Sequence, residues 1–274
     1  MSLSIIILAL IIGISLGLIG GGGSILTVPI LVYIGGFSPV IATGYSLFIV
    51  GSTSLVGALI NFKNKLVHLP TAILFSIPSF ISVYAIRRFI LPQIPDKIIT
   101  FGDFILNKNI FIMILFAVIM VFAALIMINS NEKEKLNDDI SEIKFNYPFI
   151  LLQGFIVGIL AGAVGAGGGF LIIPALVMFA RLPMRLAIGT SLLIIAINSL
   201  VGFTGDLQIF KEAPDWNFLL MFSSIAISGI VLGVFAGKKI APEKLKMFFV
   251  WFVLIIAVYI LSKELIFPTV FNKN

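Results

Sequence analysis

Cysteine is absent from the chain, and histidine occurs once, at His68. Without thiols there is no disulfide framework, no thiolate metal site and no mechanism through a protein sulfur. A lone histidine makes no metal site either, so neither metal nor cofactor is expected. Charge is scarce as well. Only 11% of the 274 residues are charged, against about 25% in an ordinary soluble domain. What fills the chain instead is apolar: 60% of residues are hydrophobic and the mean hydropathy is +1.20. Several runs exceed the roughly 20 residues that cross about 30 Å of hydrocarbon. These features predict an all-α polytopic protein of the cell membrane. The net charge of +6 does not point to nucleic acid, because the basic residues sit in short loops between apolar runs, where they set orientation. The first run has no basic n-region before it and no small-residue cleavage site after it, so 3–19 reads as mature protein.

Eight apolar blocks are expected, over 3–34, 39–61, 69–91, 109–128, 148–180, 185–205, 216–236 and 245–262. Between the fourth and fifth lies one polar stretch, NSNEKEKLNDDISEIKFNY (129–147), which reads as a solvated linker. Its flanks resemble each other. GLIGGGGSILTVPILV (17–32) aligns with GAVGAGGGFLIIPALV (162–177) at an offset of 145, the separation of Pro29 and Pro174. The same offset carries ATGYSLFIVGSTSLVGALIN (42–61) onto AIGTSLLIIAINSLVGFTGD (187–206). The expected organisation is therefore a first repeat over 1–128, the linker, and a second repeat over 148–274. Repeats with helix breaks at matching positions are the pattern of secondary transporters, in which the breaks mark the substrate site.

A helix over 3–34 would reach about 48 Å at 1.5 Å per residue, too long for one span. The glycines divide it, and block five divides in the same way. Each block is expected to be two short helices joined by a glycine turn, either a bent span or a re-entrant hairpin. The second half-helices are expected to start near Ser24 and Gly169. Their first N–H groups lack helical partners and carry partial positive charge. Such turns suit an anion, which makes Gly20, Gly21, Gly22, Gly23 and Ser24, with Gly165, Gly167, Gly168 and Gly169, candidate substrate-binding residues. Close helix packing is the competing account of the same glycines. A nucleotide loop is not expected, because no Gly-Lys-Ser/Thr follows and strands are not anticipated. Pro29 and Pro174 each remove a helical hydrogen bond and are candidate hinges.

Blocks two and six supply further polar candidates: Thr43, Ser46, Ser52, Thr53 and Ser54 against Thr190, Ser191, Asn198, Ser199 and Thr204. Of these, Ser46, Thr53, Ser191 and Asn198 are placed at the central site. Asp206 aligns with Asn61 at a helix end and reads as a cap or interfacial group. His68 is expected to touch headgroups or water. No carboxylate stands out as a proton relay, and no buried cation is evident. Arg181 and Arg185 read as orientation charges or as a charged mouth.

With GGGS…P, the ATGYS/AIGTS segments and the repeat together, the chain resembles the sulfite exporter TauE/SafE family over nearly its whole length. That resemblance implies transport of small sulfur-containing anions such as sulfite or organosulfonates. It places the family's glycine-rich turns at Gly20–Ser24 and Gly165–Gly169 and its following proline at Pro29 and Pro174. Thiosulfate chemistry through cysteines does not apply here.

If blocks one and five are hairpins, each repeat crosses three times and the second is inverted. Eleven of the Lys and Arg residues then share the linker's side: Lys63, Lys65, Lys133, Lys135, Lys144, Arg181, Arg185, Lys238, Lys239, Lys244 and Lys246. That side is taken as cytoplasmic. The expected activity is alternating access around an anion held between the glycine turns, not an enzymatic reaction. A passive anion channel and a membrane-embedded hydrolase are the alternatives. The expected partners are the lipid bilayer and a small anion, with no nucleic acid and with a homodimer left open.

Overall fold

The computed structural model describes residues 3–101, 104–129, 147–165, 167–207, 210 and 214–266. Residues 130–146, nearly all of the polar linker, lie outside that set. Among the described residues six helices are long and apolar enough to cross a membrane. They are α3 (Pro39–Lys63), α4 with its extension (Leu69–Gln93), α5 (Lys108–Asn129), α6 (Tyr147–Val164), α8 (Met184–Asp206) and α9 (Trp216–Gly237). A further long helix, α10 (Pro242–Ile266), packs mainly on α5. The chain is a multi-pass membrane protein.

The two longest apolar blocks break where the glycines fall. The first runs as α1 (Leu3–Ile19), a 3₁₀ stretch over Gly20–Leu26 and α2 (Thr27–Tyr33). The second runs as α6, then α7 (Gly169–Pro174), which continues as a π-helical turn over Ala175–Phe179 directly after Pro174. A proline removes one helical hydrogen bond, and a wider turn is one way to accommodate that.

The contacts give the chain's path. Tight glycine contacts put α1 beside α9, with Gly13 against Ala226 and Gly17 against Gly233. Likewise α6 lies beside α4, with Gly154 against Phe75 and Gly162 against Val83. Both pairs run parallel, because residue numbers rise together along each contact. The first block then turns back, since Ile5 and Gly35, from its two ends, line one depression with Phe218. At the centre α3 and α8 pack antiparallel. A Cβ on Gly44 would fall 3.0 Å from Asp206 Oδ2, and one on Gly189 would fall 3.1 Å from the Asn61 Cβ. These contacts define two ends of the bundle, a Thr43 end and an Asn61 end.

One element departs from the all-α expectation. β1 (Lys97–Phe101) and β2 (Phe104–Asn107) pair antiparallel between α4 and α5, with Lys97 opposite Asn107 and Phe101 opposite Phe104. The segment KIITFGDFILN is rich in β-branched and aromatic residues around a Gly-Asp pair, which is a hairpin pattern. The apolar blocks on either side mask it in a reading by hydropathy.

Candidate functional site

The glycine turns meet each other. A Cβ on Gly21 would overlap the backbone of Gly169, and one on Gly169 would overlap Gly21. A Cβ on Gly20 would fall 2.9 Å from Ser191 Oγ and close to Ile188, and one on Gly167 would meet the Ser199 hydroxyl and Ile195. Gly23 and Gly168 instead pack on the first helix of their own hairpins, against Ser15 and Leu16 in one case and Ala161 in the other. The turns fill the space between them in this conformation. Close approach of two backbones is thus one thing the glycines provide, and it admits no side chain at Gly21 or Gly169.

The candidate polar groups divide into two sets. Ser24 and Ser191 hydroxyls donate to the carbonyls of Gly21 (2.7 Å) and Ile188 (2.8 Å), three residues back. Ser46, Thr53, Ser54 and Ser199 are fully buried, and their hydroxyls have no hydrogen-bond partner among the described residues. Asn198 donates from Nδ2 to Ser79 Oγ at 2.7 Å, while its Oδ1 is unpartnered. Buried polar atoms are normally satisfied, so this unmatched set inside an apolar bundle asks for a polar occupant. Two expected members lie elsewhere. Thr204 is exposed on the bundle's outer face and donates to the Val201 carbonyl. Thr190 accepts from the backbone N–H of His68 at 2.9 Å, which docks the α3–α4 loop.

The second half-helix runs without a break from α7 through the π-helical turn to Phe179, and the first enters α2 through 3₁₀ geometry. The N–H groups of Leu171 and Ile172 already bond the Gly168 carbonyl and are not free for an anion.

The sequence reading missed a buried charge. After Ala85 the fourth helix widens into a π-helical turn, Ile86–Ile90, which turns Arg87 inward. Arg87 is 0% exposed. Its Nη1 donates to Asp206 Oδ2 at 2.8 Å and to Thr43 Oγ1 at 3.1 Å. Nη2 lies so close to Gly165 that a Cβ there would overlap it. Gly165 also has φ +74°, a conformation that favours glycine. The guanidinium therefore rests on the second glycine turn. Its Nε and Nη2, and the Oδ1 of Asp206, have no partner among the described residues.

This corrects two expectations. Asp206 is not an interfacial cap but a 1% exposed ion-pair member, and the bundle does contain a buried cation. Arg-Arg at the end of an apolar block reads as an interfacial anchor. The available signal was Asp206 itself, a carboxylate at the end of a membrane span that requires a partner if buried. As for a Ser–His pair, the Ser24 hydroxyl is bonded to Gly21 and the His68 ring to Thr71 Oγ1 at 2.8 Å.

Six apolar spans around buried polar groups, among the described residues, define a multi-pass membrane protein. More narrowly, the chain belongs to the sulfite exporter TauE/SafE family, whose model matches residues 5–260. It is similar to a probable membrane transporter protein of Methanocaldococcus jannaschii, 29% identical over 255 residues, 89% of each chain. It is also similar to a probable membrane transporter protein of Xylella fastidiosa, 27% identical over 93% of this chain and 92% of that one. A third relative is the probable membrane transporter protein YunE of Bacillus subtilis, 26% identical over 98% of both chains. No solved structure matches the chain significantly.

Proposed function

We propose that this membrane transporter carries small sulfur-containing oxyanions, sulfite or an organosulfonate, by alternating access between two inverted repeats, 1–128 and 148–274. The antiparallel α3–α8 pair supports the inversion. So do matched contacts: Gly57 meets Leu192 as Gly202 meets Leu47, with 145 residues between counterparts in each case. Lys63, Lys65, Arg181, Arg185, Lys238 and Lys239 belong to loops at the Asn61 end, where Lys238 donates to Asn64. That supports a cytoplasmic Asn61 end and linker.

The anion's seat is the pair of glycine turns, with Arg87 on the second. The single observation that carries this reading is the unused edge of the Arg87 guanidinium. Nε and Nη2 together form a fork that takes two oxygens of one planar or tetrahedral oxyanion, and both are buried beside Gly165 without a partner among the described residues. The hydroxyls of Ser46, Thr53 and Ser199 and the Asn198 amide offer further hydrogen bonds. The turns now touch, so rocking of one repeat on the other, with Pro29 and Pro174 as hinges, opens the seat to one side at a time.

Counterflow of radiolabelled sulfite and methanesulfonate in proteoliposomes tests the reading. The protein is expected to exchange at least one of them saturably, and Arg87→Lys, which keeps charge but loses the fork, is expected to weaken uptake by about tenfold or more, since such a pair is worth about 1.5–3 kcal/mol. Failure to exchange either anion sinks the substrate class. Conductance without saturation would make the protein a channel.

A further inference from the structure

Arg87 holds Asp206 in an incomplete way. A guanidinium and a carboxylate commonly form two parallel bonds. Here one nitrogen, Nη1, serves both Asp206 Oδ2 and Thr43 Oγ1, while Oδ1 has no partner among the described residues. Both side chains are sealed from solvent, at 0% and 2% exposure. The pair is neutral as a unit, and its members come from elements 119 positions apart. An anion that docks on Arg87 adds one negative charge to this sealed pocket. Two negative groups beside one buried cation are strongly unfavourable, and the simplest neutralisation is a proton.

We infer that Asp206 is a proton-binding site coupled to the anion: the anion takes the Nε–Nη2 edge of Arg87, and Asp206, now sharing that one cation with a second negative group, binds one proton on its carboxylate. The step forms guanidinium–oxyanion hydrogen bonds at Nε and Nη2 and one O–H bond at Oδ1 of Asp206, with a proton from water on the side the site faces, and turns the Nη1–Oδ2 ion pair into a hydrogen bond to a neutral carboxyl. Release of the anion on the other side restores the ion pair and expels the proton there. One monovalent anion and one proton thus move together, and no net charge crosses. The inference rests on the transporter reading above.

The surroundings favour Asp206 as the group that responds. Among the described residues, the charged or titratable neighbours are Arg87, Arg88 and Tyr84 at the end of α4, and Tyr45 on α3. The Tyr45 hydroxyl is engaged by the Asp215 N–H at 2.9 Å. The second glycine turn brings no ionisable group, and Phe210 closes the pocket over Gly44. No second carboxylate competes for the proton there among the described residues.

The test uses full-length protein in proteoliposomes with an entrapped pH dye and radiolabelled methanesulfonate. Wild type is expected to acidify the lumen as the anion enters. An inward gradient of about one pH unit is expected to accumulate the anion up to about tenfold, the ceiling for one proton per anion. With Asp206→Asn, whatever anion movement remains is expected to carry no protons and to ignore the gradient. Anion counterflow by wild type without proton movement overturns the inference and leaves the transporter reading standing. Absence of counterflow overturns both. If Asp206→Asn does not fold, the wild-type proton measurement alone decides.

Discussion

The two ends of the α3–α8 pair are built alike and charged differently. At one end Asp206 packs on Gly44; at the other Asn61 packs on Gly189, and each residue lies 145 positions from its counterpart. Asn61 satisfies itself within its own helix, donating to the Gly57 carbonyl at 2.9 Å. Asp206 has to reach across to Arg87. The position that matches Arg87 at the Asn61 end holds no cation. Val83 and Ile86 meet Gly162 as Ile230 and Gly233 meet Gly17, so the counterpart of Arg87 is Val234, a buried apolar residue. A near-symmetric scaffold thus carries its charge on one side only. Under the proposed alternation, the two arrangements would differ in chemistry because the buried ion pair lies at one end only.

The sharpest way to break the contrast is to remove the cation. Arg87→Gln leaves Asp206 buried and unpaired, and is expected to cost about 3–5 kcal/mol of stability, read as a lowered melting temperature in detergent. Adding Asp206→Asn makes both ends neutral and is expected to recover most of that loss without recovering anion uptake. A double mutant as unstable as the single would show that Arg87 acts through packing.

The reverse change is the next in size. Asn61→Asp places a carboxylate where no guanidinium waits, and is expected to destabilise by about 1–3 kcal/mol, the cost of an unmatched buried group. The same melting curves check it. Little change would mean that the Asn61 end is open to water.

Substitutions in the two turns refine the comparison further. Gly20→Ala and Gly165→Ala both put alanine at positive φ, at +66° and +74°, a strain of about 1–3 kcal/mol each. Gly165→Ala also displaces Arg87, so it is expected to impair anion uptake beyond its effect on stability, while Gly20→Ala impairs both in proportion. Equal effects on uptake would remove Arg87 from the seat.

The smallest effect belongs to His68, at the Asn61 end. Partial burial holds its pKa below the usual 6.5. Protons then bind the unfolded chain more readily, so its contribution is whole above about pH 6.5 and is lost as the pH falls toward the lowered folded value. His68→Gln is expected to flatten that part of the pH–stability profile slightly; an unchanged profile would place the ring in water.

Much of the architecture was readable along the chain. Helix ends fell close to the apolar blocks, because spans must be long and apolar in lipid. The glycine runs announced the breaks at Gly20–Leu26 and before Gly169. The β1–β2 ribbon was hidden between two strong hydropathy signals. Thr204 was misplaced because face, not composition, decides whether a hydroxyl points inward. Asn198 was read as a central-site candidate; that it is buried and donates to Ser79, 119 residues away, only the structure shows.

The sequence by itself determined that the chain spans a membrane several times, that its first and fifth blocks are interrupted, and that no thiol or histidine cluster takes part. Those are local properties, set by hydropathy and backbone freedom. Only the tertiary structure decided that Arg87 is buried. Its burial requires a π-helical turn after Ala85, a glycine at 165 with no Cβ in the way, Thr43 and Asp206. Those groups come from four separate stretches of chain, and a buried charge is settled by what surrounds it, not by its neighbours in sequence.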